Sequence, residues 1–259
     1  MEKILKIPYT VFNNDWDQLQ QFLDRRGNPR YELVGDVDLS RRKDIFDLGN
    51  IVRVYGYLDL SGSSIQSLGN LEYVGGSLIL WKTPIESLGN LKYVGGYLDL
   101  RDTPIKSLGN LKYVGCFLDL NSTPIQSLGN LEYVGGNFRL QHTLIESLGN
   151  LVRVDGYLDL RDTPIQSLGP LEYVGGALVL DDSQIKSLGN LQYVGGDLDS
   201  SNTPIESLGN LQYVGRYLDL VGTEIQSLGN LEYVGKEIYL SANHQIPEEQ
   251  LNKFKFRYW

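Results

Sequence analysis

The feature that most constrains this chain is its period. Tyr57, Ser77, Tyr97, Phe117, Asn137, Tyr157, Ala177, Asp197 and Tyr217 each open a 20-residue segment, nine in succession without an insertion. One of them reads "YLDLRDTPIKSLGNLKYVGC", from Tyr97 to Cys116. A unit this short cannot bury its own apolar residues, so the coils must stack and share one continuous core. Stacking in register also explains the strict spacing. An extra residue in any coil would misalign its ladders with both neighbours.

Within each coil, "YLDL" alternates, which predicts a short strand with Leu98 and Leu100 inward and Tyr97, Asp99 and Arg101 outward. "DTPI" is a turn in which Pro104 fixes its own φ and biases Thr103 toward extended geometry. Ile105, Leu108, Leu111 and Val114 recur at every third residue, a spacing suited to an irregular or 3₁₀-like side. "GG" closes the coil, with positive φ expected at one of the two. The recurring Asn (Asn50, Asn70, Asn90 and onward, with Pro170 the gap) is expected to point inward and bond turn backbones. The fold class is thus a mainly β repeat solenoid of about ten coils. It is expected to be right-handed, with a parallel sheet on one face and helical caps.

These motifs carry a resemblance. "L-x-L-x-x-T-x-I" followed by "L-x-x-L" resembles a leucine-rich repeat, and Asn243 in "IYLSANHQI" fills the family's Asn slot where most coils have Thr. "SLGNLKYVGGYLDL" is also similar to the L-domain repeats of growth-factor receptors. The resemblance runs from Gly35 to Ile246 and implies a solenoid fold. It names no function, because the family binds many unrelated partners.

The ends depart from the repeat. Residues 1–35 read as a capping segment, with Asn14 capping a helix from Asp15 to Arg26 whose Trp16, Leu19, Phe22 and Leu23 close the first coil at "DVDLS". The repeats occupy 36–246. Residues 247–259 read as a second cap, with a helix beginning at Pro247 and Phe254, Phe256 and Trp259 laid over the last coil.

Composition excludes several classes. A net charge of -9 argues against nucleic acid or an anionic membrane as partner. One cysteine excludes an internal disulfide framework. "MEKILKIPYTVFNND" has no apolar stretch typical of a secretory leader, so a cytoplasmic location is expected, with a viral or non-classically exported origin left open. His142 and His244 lie far apart, and Cys116 has no histidine near it in the repeat frame. "VGG" is a structural slot, so no phosphate loop, metal site or cofactor is expected, and no catalysis.

Functional information should lie where outward positions vary between coils. Ile79 and Trp81, flanked by Tyr57, Tyr97, Arg101 and Phe117, form the densest apolar cluster, and aromatics and arginine anchor interfaces. Asp99 and Asp119 would sit roughly 4.8 Å apart on adjacent strands, expected as solvated or salt-bridged carboxylates, with a cation site the alternative. Tyr157 and Arg161 continue the strip. The Tyr73–Tyr93–Tyr113 row reads as packing. The expected function is a non-enzymatic scaffold for binding another protein, of unknown oligomeric state. A glycan-binding or surface adhesin and a purely structural repeat are the alternatives.

Overall fold

The computed structural model describes residues 4–258. The chain forms two compact units, residues 1–124 with 129–131, and residues 125–128 with 132–259. Each unit is a parallel β-solenoid, and each coil contributes to two sheets. In the first unit one sheet orders Leu5–Pro8, Tyr31–Val34, Ile51–Val54, Tyr73–Val74, Tyr93–Val94 and Tyr113–Val114. The other orders Val37–Asp38, Leu58–Asp59, Leu78–Ile79, Leu98–Asp99 and Leu118–Asp119. In the second unit the Tyr–Val sheet runs from Tyr133–Val134 to Tyr233–Val234, and the Leu–Asp sheet from Phe138–Arg139 to Lys255–Tyr258. Pairing follows the period, with Leu98 opposite Leu118 and Leu198 opposite Leu218.

The inward phase is as the alternation predicts. Leu98, Leu100, Ile105, Leu108, Leu111 and Val114 are all 0% exposed. The side expected to be irregular holds turns and then a second ladder. Leu111 N donates to Leu108 O (3.1 Å), after which Tyr113–Val114 is extended long enough to pair with the preceding coil.

Polar rows hold the corners, and here two expectations fail. The Asn row points outward: Asn110 and Asn210 are exposed, although their amides still reach Gly89 O (3.1 Å) and Gly189 O (3.3 Å). The cause is the preceding glycine. Gly109 takes φ 56°, which swings the next side chain away from the core. The inward polar row is the threonines, where Thr103 Oγ1 donates to Leu100 O at 2.6 Å and the residue is 2% exposed. Likewise, the closing "GG" pair does not carry the positive φ. A Cβ on Gly95 would fall on the Gly75 carbonyl oxygen, so close approach of coils is what this position requires.

The N-terminal helix is shorter than expected, Trp16–Asp24, and is capped by Asp15 rather than Asn14. The Asp15 carboxylate accepts from the backbone N–H of Asp17 (2.9 Å) and Gln18 (3.0 Å), satisfying donors that the first helical turn leaves open. Trp16, Leu19 and Leu23 are buried, while Phe22 is half-buried with its ring edge-on to Phe12. Before the helix, Leu5–Pro8 forms a strand that pairs with Tyr31–Val34. At the other end the helix is one turn, Glu248–Leu251. The tail that follows sets Phe256 in register with Ile238 of the last coil, as a strand and not as a helical cap. Lys255–Tyr258 pairs in parallel with Glu237–Leu240, because a basic–aromatic alternation of period two suits an added strand. Phe254 is half-buried, Phe256 is exposed, and Trp259 lies outside the described residues. Among the described residues, no helix is long and apolar enough to cross a membrane.

Candidate functional site

With the leucines inward, every other strand residue of the Leu–Asp sheet faces out. In the first unit this brings Tyr57, Ile79, Trp81, Tyr97, Asp99, Arg101, Phe117 and Asp119 onto one surface. Ile79 stands opposite Asp59 on one side and Asp99 on the other. Tyr157 and Arg161 belong to the second unit, where they flank Asp159 as Tyr97 and Arg101 flank Asp99.

The carboxylates face outward but are covered. Asp99, Asp119 and Asp159 are 2%, 1% and 4% exposed, which corrects the expectation of solvated groups. Asp99 Oδ1 accepts from Arg101 N (3.1 Å) and Nε (2.9 Å), and Oδ2 accepts from Nη2 (2.6 Å). Asp159 and Arg161 repeat this geometry, so the salt-bridged form of the expectation holds at both places. Asp119 Oδ1 accepts from Asn121 N at 3.1 Å, and its Oδ2 lies 3.8 Å from Arg101 Nε. Asp59, Asp199 and Asp219 also accept the N–H two residues on. The row is thus an Asx turn repeated in each coil that carries the Asp. Hydrogen bonds to Asp99 raise the Arg101 pKa further, and burial followed by the Asp99 charge raises that of the Tyr97 phenol. Among the described residues, no group of three or more His, Cys, Asp or Glu side chains could hold a metal ion.

One coil puts apolar side chains in both the Asp and the Arg slot. Ile79 takes the Asp slot and Trp81 the Arg slot, and Trp81 is 38% exposed. Its Nε1 donates to Asp102 Oδ2 at 3.0 Å. Lys82 Nζ stands 4.5 Å from its ring centroid and the Arg101 guanidinium 5.9 Å. The indole is therefore held in one orientation while a large part of it meets solvent. Tyr97 and Phe117 stack at 5.3 Å with an 18° interplanar angle, and Tyr57 is 39% exposed. Sequence reading missed Asp102 and Lys82. Both sit in the left-handed turn slot after the strand, at φ 56° and 55°, where residue type varies too freely for a period to point them out.

The Tyr–Val sheet presents stacked rings. Tyr73–Tyr93 and Tyr93–Tyr113 lie 4.7 and 4.6 Å apart and nearly parallel, and Tyr193–Tyr213 repeats this at 4.6 Å. Arg153, the exception in the row, places its guanidinium 3.8 Å from the Tyr173 ring centroid. These residues pack on one another, as their uniformity suggests.

No family model matches the chain, and no curated protein or solved structure matches it. The coils, about twenty residues each and stacked as a parallel β-solenoid, are what the structure establishes.

Proposed function

We propose that the chain is a leucine-rich-repeat-type scaffold without enzymatic activity that recognises another protein through the outward face of its Leu–Asp sheet. The site centres on Trp81 with Ile79, Tyr57, Tyr97, Arg101 and Phe117. The observation that carries this reading is the exposed, oriented indole. Coils on either side close their outward face with Asp and a polar partner, and this coil presents an aromatic anchor instead. Interface energy concentrates in such residues, and an indole already held by a hydrogen bond loses little further freedom on binding. The buried leucines and isoleucines of each coil and the inward threonine that bonds the last strand carbonyl support the leucine-rich-repeat reading.

A protein partner is favoured over a glycan because Asp99 and Asp119, which could bind sugar hydroxyls, are buried and already bonded. The experiment is affinity capture from the native host with the wild-type chain and Trp81→Ala, alongside a glycan array. Loss of one specific protein with the variant, at a Kd weakened roughly thirtyfold, is the expected result. An unchanged capture profile, or a glycan hit lost with Trp81→Ala, would overturn the reading.

A further inference from the structure

A second surface lies at the C-terminal end of the second unit. Among the described residues the Lys255–Tyr258 strand pairs on one side only, with Glu237–Leu240, and all four of its residues are exposed. Phe256 and Tyr258 stand opposite the core residues Ile238 and Leu240, yet are 37% and 56% exposed. They occupy core register with no coil beyond them among the described residues. The N-terminal end of the first unit is different. Its helix buries Trp16, Leu19 and Leu23, and its edge strand Leu5–Pro8 buries Ile7.

Charge distinguishes this edge too. A groove of about 490 Å³ adjoins the strand, walled by Tyr217, Tyr233 and Phe254. It carries Lys236, Lys253, Lys255 and Arg257 against one carboxylate, Glu237. Arg257 Nε already pairs with Glu237 at 2.9 Å, and Lys253 Nζ donates to Leu231 O. Neither Lys236 nor Lys255 has a carboxylate within ion-pair distance among the described residues. On a chain of net charge -9 this is a local basic concentration beside an open backbone edge.

We propose that this edge is a docking site for an extended acidic peptide of a partner protein, added as a further strand. Main-chain bonds to Lys255–Tyr258 would supply affinity. Alternate side chains of the peptide would divide between the two faces. Apolar ones would cover Phe256 and Tyr258, and acidic ones would meet Lys255 and Lys236. Self-pairing of two such edges is disfavoured, because with matching faces it would bring Lys255 and Arg257 of both copies together.

The test is fluorescence anisotropy on the full chain with a labelled peptide of alternating Glu and Val, its Lys–Val counterpart, and a Glu–Val peptide N-methylated at alternate residues. Binding of the Glu–Val peptide alone is expected, weakened about tenfold by Lys236→Glu with Lys255→Glu and by N-methylation. Both lysines are on the surface, so an unchanged thermal melt should confirm that the variant folds. Equal binding of the Lys–Val peptide, indifference to N-methylation, or no binding at all would overturn the proposal. So would concentration-dependent self-association through this edge in sedimentation, which would make the occupant a second copy.

Discussion

Coils 77–96 and 97–116 are neighbours in the same unit with the same backbone course, yet they treat their outward faces in opposite ways. In the second, Asp99 is buried under a bidentate bond from Arg101, and Tyr97 stacks on Phe117. In the first, Ile79 and Trp81 stand in the Asp and Arg slots, and the indole's hydrogen bond reaches into the next coil, to Asp102. The cores beneath do not differ, since Leu78, Leu80, Leu98 and Leu100 are all 0% exposed. Two outward positions therefore decide whether a coil presents a closed ion pair or an apolar aromatic surface, independently of what holds it in the stack.

The largest effect should show that independence. Leu80→Ala and Leu100→Ala each remove a fully buried side chain from a stacked core and should cost about 2–5 kcal/mol apiece. Urea unfolding of the two variants should give nearly equal losses. A difference above about 1.5 kcal/mol would mean that the Trp81 coil is also packed differently.

The next effect separates the coils. Asp99→Ala leaves the Arg101 backbone N–H without its acceptor and the guanidinium with only its longer approach to Asp119, and should cost about 2 kcal/mol. Asp99→Asn keeps an oxygen for the N–H and should recover part of that loss. In the neighbouring coil, Trp81→Ala removes a part-exposed ring and one hydrogen bond, so about 1 kcal/mol is expected, a fall in Tm of ~2–4 °C. If thermal melts rank these two the other way, Trp81 is a packing residue and the reading of its coil as an aromatic surface fails.

The contrast was only partly legible in the sequence. The inward leucines and Trp81 in an outward slot followed from alternation alone, which depends on nothing outside the strand. The burial of Asp99 did not, because periodicity reports a side chain's direction and not its cover, nor the bond that Arg101 returns to it. The Asn row misled because one glycine with positive φ, Gly109 and its equivalents, reverses the side-chain direction at the next residue. The second ladder was hidden by brevity, since a two-residue strand such as Tyr113–Val114 has no pattern of its own and exists only through its neighbour. Basic–aromatic alternation in Lys255–Tyr258 is a strand pattern, but stacking logic favoured a cap there.

The smallest effect tests what a carboxylate in the Asp slot costs when no arginine closes it. Asp219 is followed two residues on by Val221 instead of Arg, and its Oδ1 accepts the Val221 N–H at 2.9 Å. It stands opposite Asp199 on the adjacent strand. Burial raises its pKa above the usual carboxylate value, and the Asp199 charge adds to this, while the Val221 bond works against both. A folded-state pKa above the unfolded one means the proton is held more tightly when folded. The ionised group therefore weakens the fold at neutral pH, and the penalty is relieved as pH falls through the folded-state pKa. Asp219→Asn keeps the oxygen for Val221 and removes the charge, so it should stabilise the chain at pH 7 by a few tenths of a kcal/mol, about the cost of like charges directly opposite one another. The gain should shrink in acid, where wild type is itself protonated. Asp99→Asn should do the reverse at pH 7, because there the charge has Arg101 to meet. Melts of both variants at neutral and acid pH decide it: a destabilised Asp219→Asn at pH 7 would show that the charge is compensated there too, and that closure of a coil does not depend on its arginine.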